Sequence, residues 1–450
     1  MRRSAALFSF TAISAIGVVS ACGTSSTNGG NSSSGGGGLS SCSGTITVAT
    51  DLPLTGGDST DGPFPMYGAK LAVDQANANK VLGGCTLAFI SKDDSSVAKN
   101  GHDPAQGAAN ITALAANQSV VGVVGPFNSS VAEAEIPVAS QNHLPLISPS
   151  NTNPCLTVQG VPASTCGITT SSLYPGPHTY FRVIATDIDQ GEIDAYVAAK
   201  VLNATKAYVF DDQEAYGAGL ATLFINHFQS DGGTIVGHAS LPGSTTDFST
   251  QISDAQSSGA QVIFFGGTSG NGCGLVRRDE GKAGLNLPLL GGDGCQDKKF
   301  ITDANSGSNT SAAEKGYATS APDVTKLGTS TAFYSAYSAA FASQAAPYND
   351  AKNEPYSPYG YDAMNILIQA IKAVLLQNNG TIPSSTQTFR DDITAQLRNT
   401  SYDGAIGHTG FDTNGDTTNT GFTLYKVSGG TWTSVNTYQV DTSGNVSVKS

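Results

Sequence analysis

The sequence has few of the patterns on which enzymes usually depend. No GxSxG, HExxH or P-loop pattern occurs, and the six histidines are scattered along the chain. Charged residues make up only 13% of the 450 residues, and no basic cluster occurs among them. These absences argue against hydrolytic or metal chemistry and against nucleic-acid binding. We therefore expect a protein that is not an enzyme and that uses no metal or cofactor.

The N-terminal residues are typical of an export signal. Arg2 and Arg3 precede an apolar run, Ala5 to Val19, that is too short to span a bilayer comfortably. Val19-Ser20-Ala21-Cys22 then resembles the lipobox of bacterial lipoproteins. Residues 1–21 are predicted to be a signal peptide, and Cys22 is predicted to carry the lipid. An ordinary secretory signal with an incidental cysteine is the alternative.

The stretch after Cys22 has little that could form a core. Residues 22–41 are mostly Gly, Ser, Thr and Asn, a composition typical of a flexible tether. Without Arg2 and Arg3, the 22 basic residues fall to 20 against 35 acidic ones, a net charge of −15. Anionic lipid repels a surface of this sign, so membrane contact is expected through the lipid anchor alone. The protein is expected to be exported and to face the periplasm or the exterior.

Six cysteines remain after Cys22, an even number that indicates disulfide bonds in an exported chain. Cys42 and Cys85 each precede one of two neighbouring predicted strands. Cys155 and Cys166 flank one Pro-containing loop, and Cys273 and Cys295 each follow a predicted strand that ends in Gly-Gly. The predicted bonds are Cys42–Cys85, Cys155–Cys166 and Cys273–Cys295. A zinc site is the rival interpretation, but the sequence has no CxxC pair.

Strand-like runs alternate with helix-like runs through most of the chain, which predicts an α/β fold with parallel, doubly wound sheets. Asp103-Pro104 is a typical helix start, and Asp189 is a second predicted cap. The pattern restarts once, so we predict two lobes. Their bounds are 42–181 with 322–408 for the first lobe, and 182–321 with 409–450 for the second. The lobes are expected to join near Thr179–Val183, Thr319–Pro322 and Ile406–Gly410.

Ligands of open α/β sheets sit beyond the carboxyl ends of the strands. The strand Val120–Val124 is followed by a loop, residues 125–130, that carries Ser129 and begins a helix. The strand Leu144–Ile147 is followed by the hydroxyl-rich loop 148–154. Hydroxyls and free N–H groups at such positions suit a carboxylate. Turn and capping chemistry is the alternative use of the same residues.

Several short segments follow one another in a fixed order along the body of the chain. They are Leu52-Pro53-Leu54-Thr55-Gly56, Gly125-Pro126 with Ser129, Pro145 to Ser150 continued by Thr152-Asn153-Pro154, Tyr180-Phe181-Arg182 with Asp187 and Gln190-Gly191, Tyr216-Gly217, and Tyr359 to Met364. Their order and spacing resemble the type I periplasmic binding proteins of the leucine/isoleucine/valine-binding group. The resemblance covers nearly all of the predicted mature body.

The resemblance implies a cleft between two closing lobes that holds a small amino-acid-like ligand. Ser129 and Thr152 stand where that family binds the ligand's carboxylate, and the carbonyl of Ser150 stands where it accepts from the ammonium group. Tyr216 would cover the ligand from the second lobe. Asp293, between glycines, would pair with the ammonium, although it could instead be a turn residue. A zwitterion taken out of water needs both charges paired.

The sequence departs from the family in two loops. Thr268 stands where relatives often have a bulky or aromatic residue, and we place it among the ligand-binding candidates. The loop 57–65 offers Asp61 where a stacking aromatic side chain is expected, although Phe64 and Tyr67 are near. These departures leave the identity of the ligand open. The resemblance implies an ABC permease as the membrane partner; a sensor for amides or urea-like solutes that signals to a membrane protein is the alternative.

Two further patterns have ordinary structural interpretations. Asp412-Thr413-Asn414-Gly415-Asp416 faintly resembles a calcium loop, but the remaining EF-hand spacing is missing, so a solvated turn is expected. His227 lies on an apolar helix face and is expected to be packed in the core. The Ser428-Gly429-Gly430 sequence predicts a hairpin between two strand-like runs near the end of the chain.

Overall fold

The computed structural model describes residues 39–449 except 163, 164, 166 and 308. These residues belong to one compact unit that spans Gly37–Ser450. The predicted signal peptide, the lipidation site Cys22 and most of the tether lie outside the described residues. Within the described part of the chain, no helix combines the length and the apolar composition that a bilayer crossing requires.

The described residues form strands and helices that alternate along most of the chain. The strands are β1 Gly44–Leu52, β2 Cys85–Asp93, β3 Ser95–Ser96, β4 Gly101–His102, β5 Val120–Val124, β6 Leu146–Ser148, β7 Tyr180–Arg182, β8 Lys206–Asp211, β9 Thr234–Ser240, β10 Val262–Gly266, β11 Leu289–Gly291, β12 Gly316–Ser320, β13 Ser401–Gly404, β14 Gly407–Gly410, β15 Phe422–Ser428, β16 Thr431–Val440 and β17 Val446–Val448. The helices are α1 Pro63–Ala78, α2 Pro104–Ala116, α3 Ser129–Gln141, α4 Asp187–Tyr196, α5 Ala215–Ser230, α6 Ser249–Ser257, α7 Cys273–Lys282, α8 Lys298–Ala304, α9 Ser330–Ala340, α10 Ser357–Gln377 and α11 Thr386–Leu397.

The first sheet has the order β2-β1-β5-β6-β7, and all of its neighbouring strands are parallel. All five residues of β5 are buried, as its continuous apolar sequence predicts for a strand covered on both faces. Apolar residues of α1, α10 and α11 pack on one face of the sheet. Residues of α2 and α3 pack on the other face. We call this sheet and its helices the first lobe.

The second sheet has the order β17-β16-β15-β12-β11-β10-β8-β9. Strands β8 to β12 pair in parallel, whereas β15, β16 and β17 add an antiparallel edge. The predicted hairpin lies between β15 and β16, where Gly429 and Gly430 both have positive φ angles, 62° and 72°. Two such residues form the turn that matches the twist of a hairpin. We call this sheet and its helices the second lobe.

The α/β fold class predicted from the sequence is confirmed. The chain passes between the lobes in three places: between β7 and α4, after β12, and between β14 and β15. These passages lie near the predicted joints, while the lobe bounds at single-residue level stay a prediction. The helix start at Asp103 is also confirmed, since its side chain accepts a hydrogen bond from the N–H of Ala105.

Two details of the helix prediction are wrong. Asp189 does not cap a helix; α4 already begins at Asp187, and Thr186 occupies the capping position. His227 is only half-buried and is not packed in the core.

Two of the three predicted disulfide bonds are confirmed. Cys42 and Cys85 are bonded with a Cα–Cα distance of 5.1 Å, which follows from the parallel pairing of Gly44 with Cys85 in β1 and β2. Cys273 and Cys295 are bonded with a Cα–Cα distance of 5.9 Å and join the start of α7 to the turn after β11. The third predicted bond, Cys155–Cys166, involves Cys166, which lies outside the described residues.

The turn that contains Asp412 and Asp416 is not simply solvated, as the sequence indicated. Asp412 is exposed, but Asp416 is 7% exposed and its carboxylate accepts a hydrogen bond from Nε of Arg182 at 2.6 Å. Thr157 donates its hydroxyl to the same carboxylate at 2.8 Å. Because Arg182 is fully buried, the ion pair fixes this turn against the end of β7.

Candidate functional site

A cleft lies between the two lobes, at the carboxyl ends of strands from both sheets. All six candidate residues from the sequence line it: Ser129, Ser150, Thr152, Tyr216, Thr268 and Asp293. The structure therefore brings together side chains that are up to 164 positions apart in the sequence. Whether each of them binds the ligand stays a prediction.

The first-lobe wall of the cleft contains the start of α3. Asn128 has an extended backbone, and Ser129 is the first helical residue and is 3% exposed. The first N–H groups of a helix have no partner within the helix, and they carry a partial positive charge. Gly125, with φ of 143°, lets the preceding loop pass against the backbone of Asp51, where a Cβ atom would lie 2.1 Å from the Asp51 oxygen.

The loop after β6 is tied to the start of α3 by side-chain hydrogen bonds. The hydroxyl of Ser148 donates to the carbonyl of Pro126 at 2.7 Å and accepts from the N–H of Asn151 at 2.9 Å. The hydroxyl of Ser150 donates to the carbonyl of Phe127 at 3.0 Å. The hydroxyl of Ser150 is thus engaged within the protein, which leaves its backbone carbonyl as the group predicted to meet the ligand.

Arg182 supports the Thr152 loop from behind. Its Nη1 atom donates to the carbonyls of Asn151 at 3.1 Å and Asn153 at 2.8 Å, on either side of Thr152. Burial lowers the pKa of Arg182, but the charge of Asp416 outweighs this effect and the pKa is raised, so the guanidinium stays charged. The sequence analysis named Arg182 only within the segment Tyr180-Phe181-Arg182 that resembles the family. Its positioning role depends on Asp416, 234 residues later, and no local pattern indicates that contact.

The second-lobe wall places Tyr216 beside Asp293. Tyr216, in the first turn of α5, donates its hydroxyl to Oδ1 of Asp293 at 2.7 Å, and its hydroxyl oxygen accepts from the N–H of Gly294 at 3.3 Å. Tyr216 therefore orients the carboxylate in addition to any contact of its ring with a ligand. Asp293 is 8% exposed; burial raises its pKa, while the hydrogen bonds from tyrosine hydroxyls lower it.

The other carboxylate oxygen of Asp293 accepts a short hydrogen bond from the hydroxyl of Tyr356. Tyr356 immediately precedes α10 and packs in the core of the first lobe, so this hydrogen bond crosses from one lobe to the other. Asn153 makes a second crossing, with its side-chain amide donating to the carbonyl of Ala215 at 2.8 Å. The sequence analysis missed Tyr356, because nothing in the sequence near it distinguishes it from a core tyrosine.

His102 forms a third contact between the lobes. Its Nδ1 atom lies 2.8 Å from Asp58 and its Nε2 atom lies 3.8 Å from Glu214 at the start of α5. Burial by itself lowers the pKa of His102, but the hydrogen bonds and charges of Asp58 and Glu214 outweigh it and raise the pKa to about 10. His102 is therefore a cation at neutral pH. The three crossings describe a closed cleft.

Thr268 lies in the loop after β10 and lines the cleft. Its hydroxyl accepts from the N–H of Asn271 at 3.2 Å, and Asn271 in turn donates its amide to Asp212 at 2.9 Å. A small side chain at this position leaves space where the family resemblance implies a bulkier one.

Two α/β lobes that close over a buried polar cleft at the ends of their strands define a two-lobe solute-binding protein. The chain belongs to the periplasmic binding proteins: the family model with that description matches residues 45–431. The expectation of a binding protein rather than an enzyme agrees with this membership.

Known proteins resemble the chain over different lengths. It is 30% identical over 260 residues to the Leu/Ile/Val-binding protein homolog 3 of Brucella melitensis. That alignment covers 57% of this chain and 63% of the relative, so the chain spans less than two thirds of the relative's length. It is 28% identical over 392 residues to the Leu/Ile/Val-binding protein BraC3 of Rhizobium johnstonii, covering 86% and 92%. The crystal structure of the leucine-binding protein LivK of Thermotoga maritima has the same fold, with a TM-score of 0.71, 24% identity, and coverage of 87% and 98%.

Proposed function

We propose that this protein binds an amino acid between its two lobes and delivers it to an ABC permease. One observation carries the proposal: the two walls of a single closed cleft offer complementary chemistry to a zwitterion. Hydroxyls and a helix start lie on the first-lobe wall, and the carboxylate of Asp293 lies on the second. The names of the relatives, which include Leu/Ile/Val-binding proteins, support the same class of ligand.

In this proposal the ligand's carboxylate accepts hydrogen bonds from the hydroxyls of Ser129 and Thr152 and from N–H groups at the start of α3. The ammonium donates to the carbonyl of Ser150 and to the carboxylate of Asp293. Each charge leaves water only when it meets its partner, which avoids the large free-energy cost of a buried unpaired charge. Because the partners lie on different lobes, a bound amino acid stabilises the closed conformation over the open one.

A lipid on Cys22 would hold the folded body at the membrane surface through the tether. The support for this anchor is the lipobox-like sequence before Cys22 and the core-free composition of residues 22–41. Because the folded body stays close to the membrane, a permease would recognise its closed, ligand-bound form by shape.

A thermal-shift screen tests the proposed function. The panel contains neutral, basic and acidic amino acids, the matching carboxylic acids without the amine, the matching amines without the carboxylate, and simple amides including urea. A ligand at a hundredfold excess over its Kd stabilises the folded form by about 2.7 kcal/mol. We expect such a shift for at least one amino acid and smaller shifts for its two truncated analogues. A screen in which only amides shift the melting temperature would refute amino-acid binding.

A further inference from the structure

The ligand cleft continues beyond Asp293 into a second, smaller compartment. Asp293, Phe127 and Thr268 are among the residues that line both spaces, so a ligand held at Asp293 lies against both of them. The additional walls of this second compartment are acidic. They contain Asp58, Asp61, Asp297 and Glu354.

These acidic side chains lack the cations that normally accompany buried carboxylates. Asp58 is paired with His102 at 2.8 Å, but no ion pair is formed by Asp61, Asp297 or Glu354 within the described part of the chain. The nearby Lys299 is engaged with Asp303 at 2.7 Å. A buried carboxyl group without a partner keeps its proton, so a ligand that brings positive charge would allow these groups to ionise and pair with it.

Asp297 gives the most specific indication of that missing partner. It is 5% exposed, and its Oδ1 atom accepts the N–H of Phe300 at 2.7 Å as the cap of α8. Its Oδ2 atom is buried and no described residue donates to it with full hydrogen-bond geometry, although a side-chain contact with Ser269 lowers the pKa of Asp297 and a contact between the two carboxyl groups raises the pKa of Asp61. The side-chain oxygens of Asn128 and Gln296, which line the same compartment, are also buried without a donor. Three acceptors without donors around one space suit a group with several N–H donors.

The acidic side chains also repel one another. Burial raises the pKa of Asp61, and the negative charges of Asp297 and Glu354 raise it further. Burial likewise raises the pKa of Glu354, and Asp297 adds to that shift. An added positive charge would relieve this repulsion, whereas an aliphatic side chain would leave the acceptors unpaired and the carboxylates crowded.

The entrance to the second compartment suits a chain of methylene groups. Phe127 and Tyr356 face each other edge to face with their ring centroids 5.3 Å apart, and both line the compartment. Thr268 lines both spaces at this entrance. A ligand whose α-ammonium meets Asp293 would thus pass its aliphatic part along aromatic rings and place its far end among the acidic side chains.

We infer that the ligand carries a second positive charge at the end of its side chain, and that the protein prefers basic amino acids, of the lysine, ornithine or arginine type, to leucine, isoleucine and valine. The inference rests on the proposed function and adds the class of amino acid to it. The terminal ammonium or guanidinium donates to Oδ2 of Asp297 and neighbours Asp61 and Glu354.

Calorimetric titration of the native full chain with matched ligand pairs tests the inference. Lysine is compared with norleucine, which has the same carbon chain without the terminal ammonium, and arginine is compared with citrulline, its neutral counterpart. Truncating one partner of a buried charge pair weakens binding by at least about thirtyfold. We expect that difference in at least one pair. Norleucine or leucine binding as tightly as lysine and arginine would overturn the inference and leave the proposed function intact, whereas no binding of any amino acid would overturn both.

Two variants locate the effect. Asp297→Asn keeps an effective helix cap and removes the charge, and Glu354→Gln does the same for the second acidic side chain. Each is expected to reduce the preference for lysine over norleucine by about tenfold or more, while the affinity for norleucine changes by less than about threefold. Asp231→Asn, an exposed acid outside the cleft, is the matched control. An unchanged preference in both variants, or stabilisation by calcium ions in place of basic amino acids, would contradict the assignment.

Discussion

The hydroxyl of Tyr356 in the first lobe donates a hydrogen bond to the carboxylate of Asp293 in the second lobe. This contact joins the residue predicted to bind the ligand's ammonium to the lobe that is predicted to bind its carboxylate. Tyr216 donates to the other oxygen of the same carboxylate at 2.7 Å. Asp293 is thus held in one orientation before any ligand is considered, and its position depends on closure of the lobes.

Tyr356→Phe should weaken ligand binding without unfolding the protein. The variant keeps the ring in the first-lobe core and removes the hydrogen bond to a charged group, which is worth about 1.5–3 kcal/mol. Because that bond forms only when the lobes are closed, its loss should appear in the closing step and lower ligand affinity by at least about tenfold. Calorimetry measures the affinity, and small-angle scattering without ligand should show a larger radius of gyration. Tyr317→Phe, outside the cleft, serves as control; equal affinity in both variants would contradict the role of Tyr356.

Asp293→Asn should weaken the binding of the ligand's ammonium group without weakening the binding of its carboxylate. The amide preserves size; its oxygen still accepts from one tyrosine hydroxyl and its NH2 group donates to the other, but it no longer compensates an ammonium group. We expect at least about a thirtyfold loss of affinity for the best amino acid, and little change for the corresponding carboxylic acid without an amine. Comparative titrations give both values. Equal losses for the two ligands would show that Asp293 shapes the cleft and does not meet the ammonium.

Asp416→Asn should destabilise the fold and loosen the Thr152 loop. The substitution leaves the fully buried Arg182 without its counter-ion, which costs about 3–5 kcal/mol in the free energy of unfolding. Urea denaturation measures this loss. Asp412→Asn in the same turn is the matched control, because Asp412 is exposed and should change stability by less than about 0.5 kcal/mol. Equal stability of the two variants would mean that the Arg182–Asp416 pair contributes nothing beyond the turn itself.

Cys22→Ser should release the protein from membranes. If Cys22 carries the acyl chains, the native chain should incorporate a labelled fatty acid and sediment with membranes, because the acidic body has no affinity for anionic lipid of its own. The serine variant should lose the label. Cys273→Ser, which alters a buried disulfide partner in the folded body, is the control for general cysteine effects. Labelling that persists in Cys22→Ser would contradict the anchor.

Local patterns predicted what depends on local sequence. The continuous apolar run Val120–Val124 is the buried strand β5, and the Gly429-Gly430 pair forms the hairpin turn. The positions of Cys42 and Cys85 before neighbouring strands predicted their bond. The strand ends led to Ser129 and the loop 148–154, because the rule for open α/β sheets states where ligands sit, whereas Tyr216, Thr268 and Asp293 came from the family resemblance.

The contacts that the sequence did not reveal join residues that are far apart in the chain. Arg182 meets Asp416 across 234 positions, and Tyr356 meets Asp293 across 63. No spacing rule connects such pairs, since their meeting depends on how the lobes pack and close. The sequence could not predict the acidic compartment for the same reason. Asp61 stood out only as an unexpected residue in one loop, because its neighbours Asp297 and Glu354 come from the second lobe and from the segment before α10.

The stability of the protein should fall as the pH rises from about 4 to about 7, through a cluster of carboxyl groups in the first lobe. Asp51, Asp94 and Glu135 are each fully buried, and one oxygen of each lies within 4.8 Å of the others. Burial raises the pKa of Asp51 to about 7, although hydrogen bonds with Glu135 and Asn110 oppose the shift. Burial and mutual repulsion raise the pKa of Asp94 and Glu135 as well.

The sign follows from proton binding in the two states. Between the ordinary carboxyl pKa and the raised one, the folded protein holds protons that the unfolded chain has released, so a rise in pH favours unfolding by up to about 1.4 kcal/mol per pH unit for each such group. Asp51→Asn removes one of these groups and can still accept from Asn110. Its stability relative to the native chain should therefore increase from pH 4 to pH 7, as measured by urea denaturation in the presence of a chelator. The free energy of unfolding of the control Asp231→Asn should change with pH as that of the native chain does. If Asp51→Asn behaves in the same way, the Asp51 carboxyl group is not holding a proton in the folded protein.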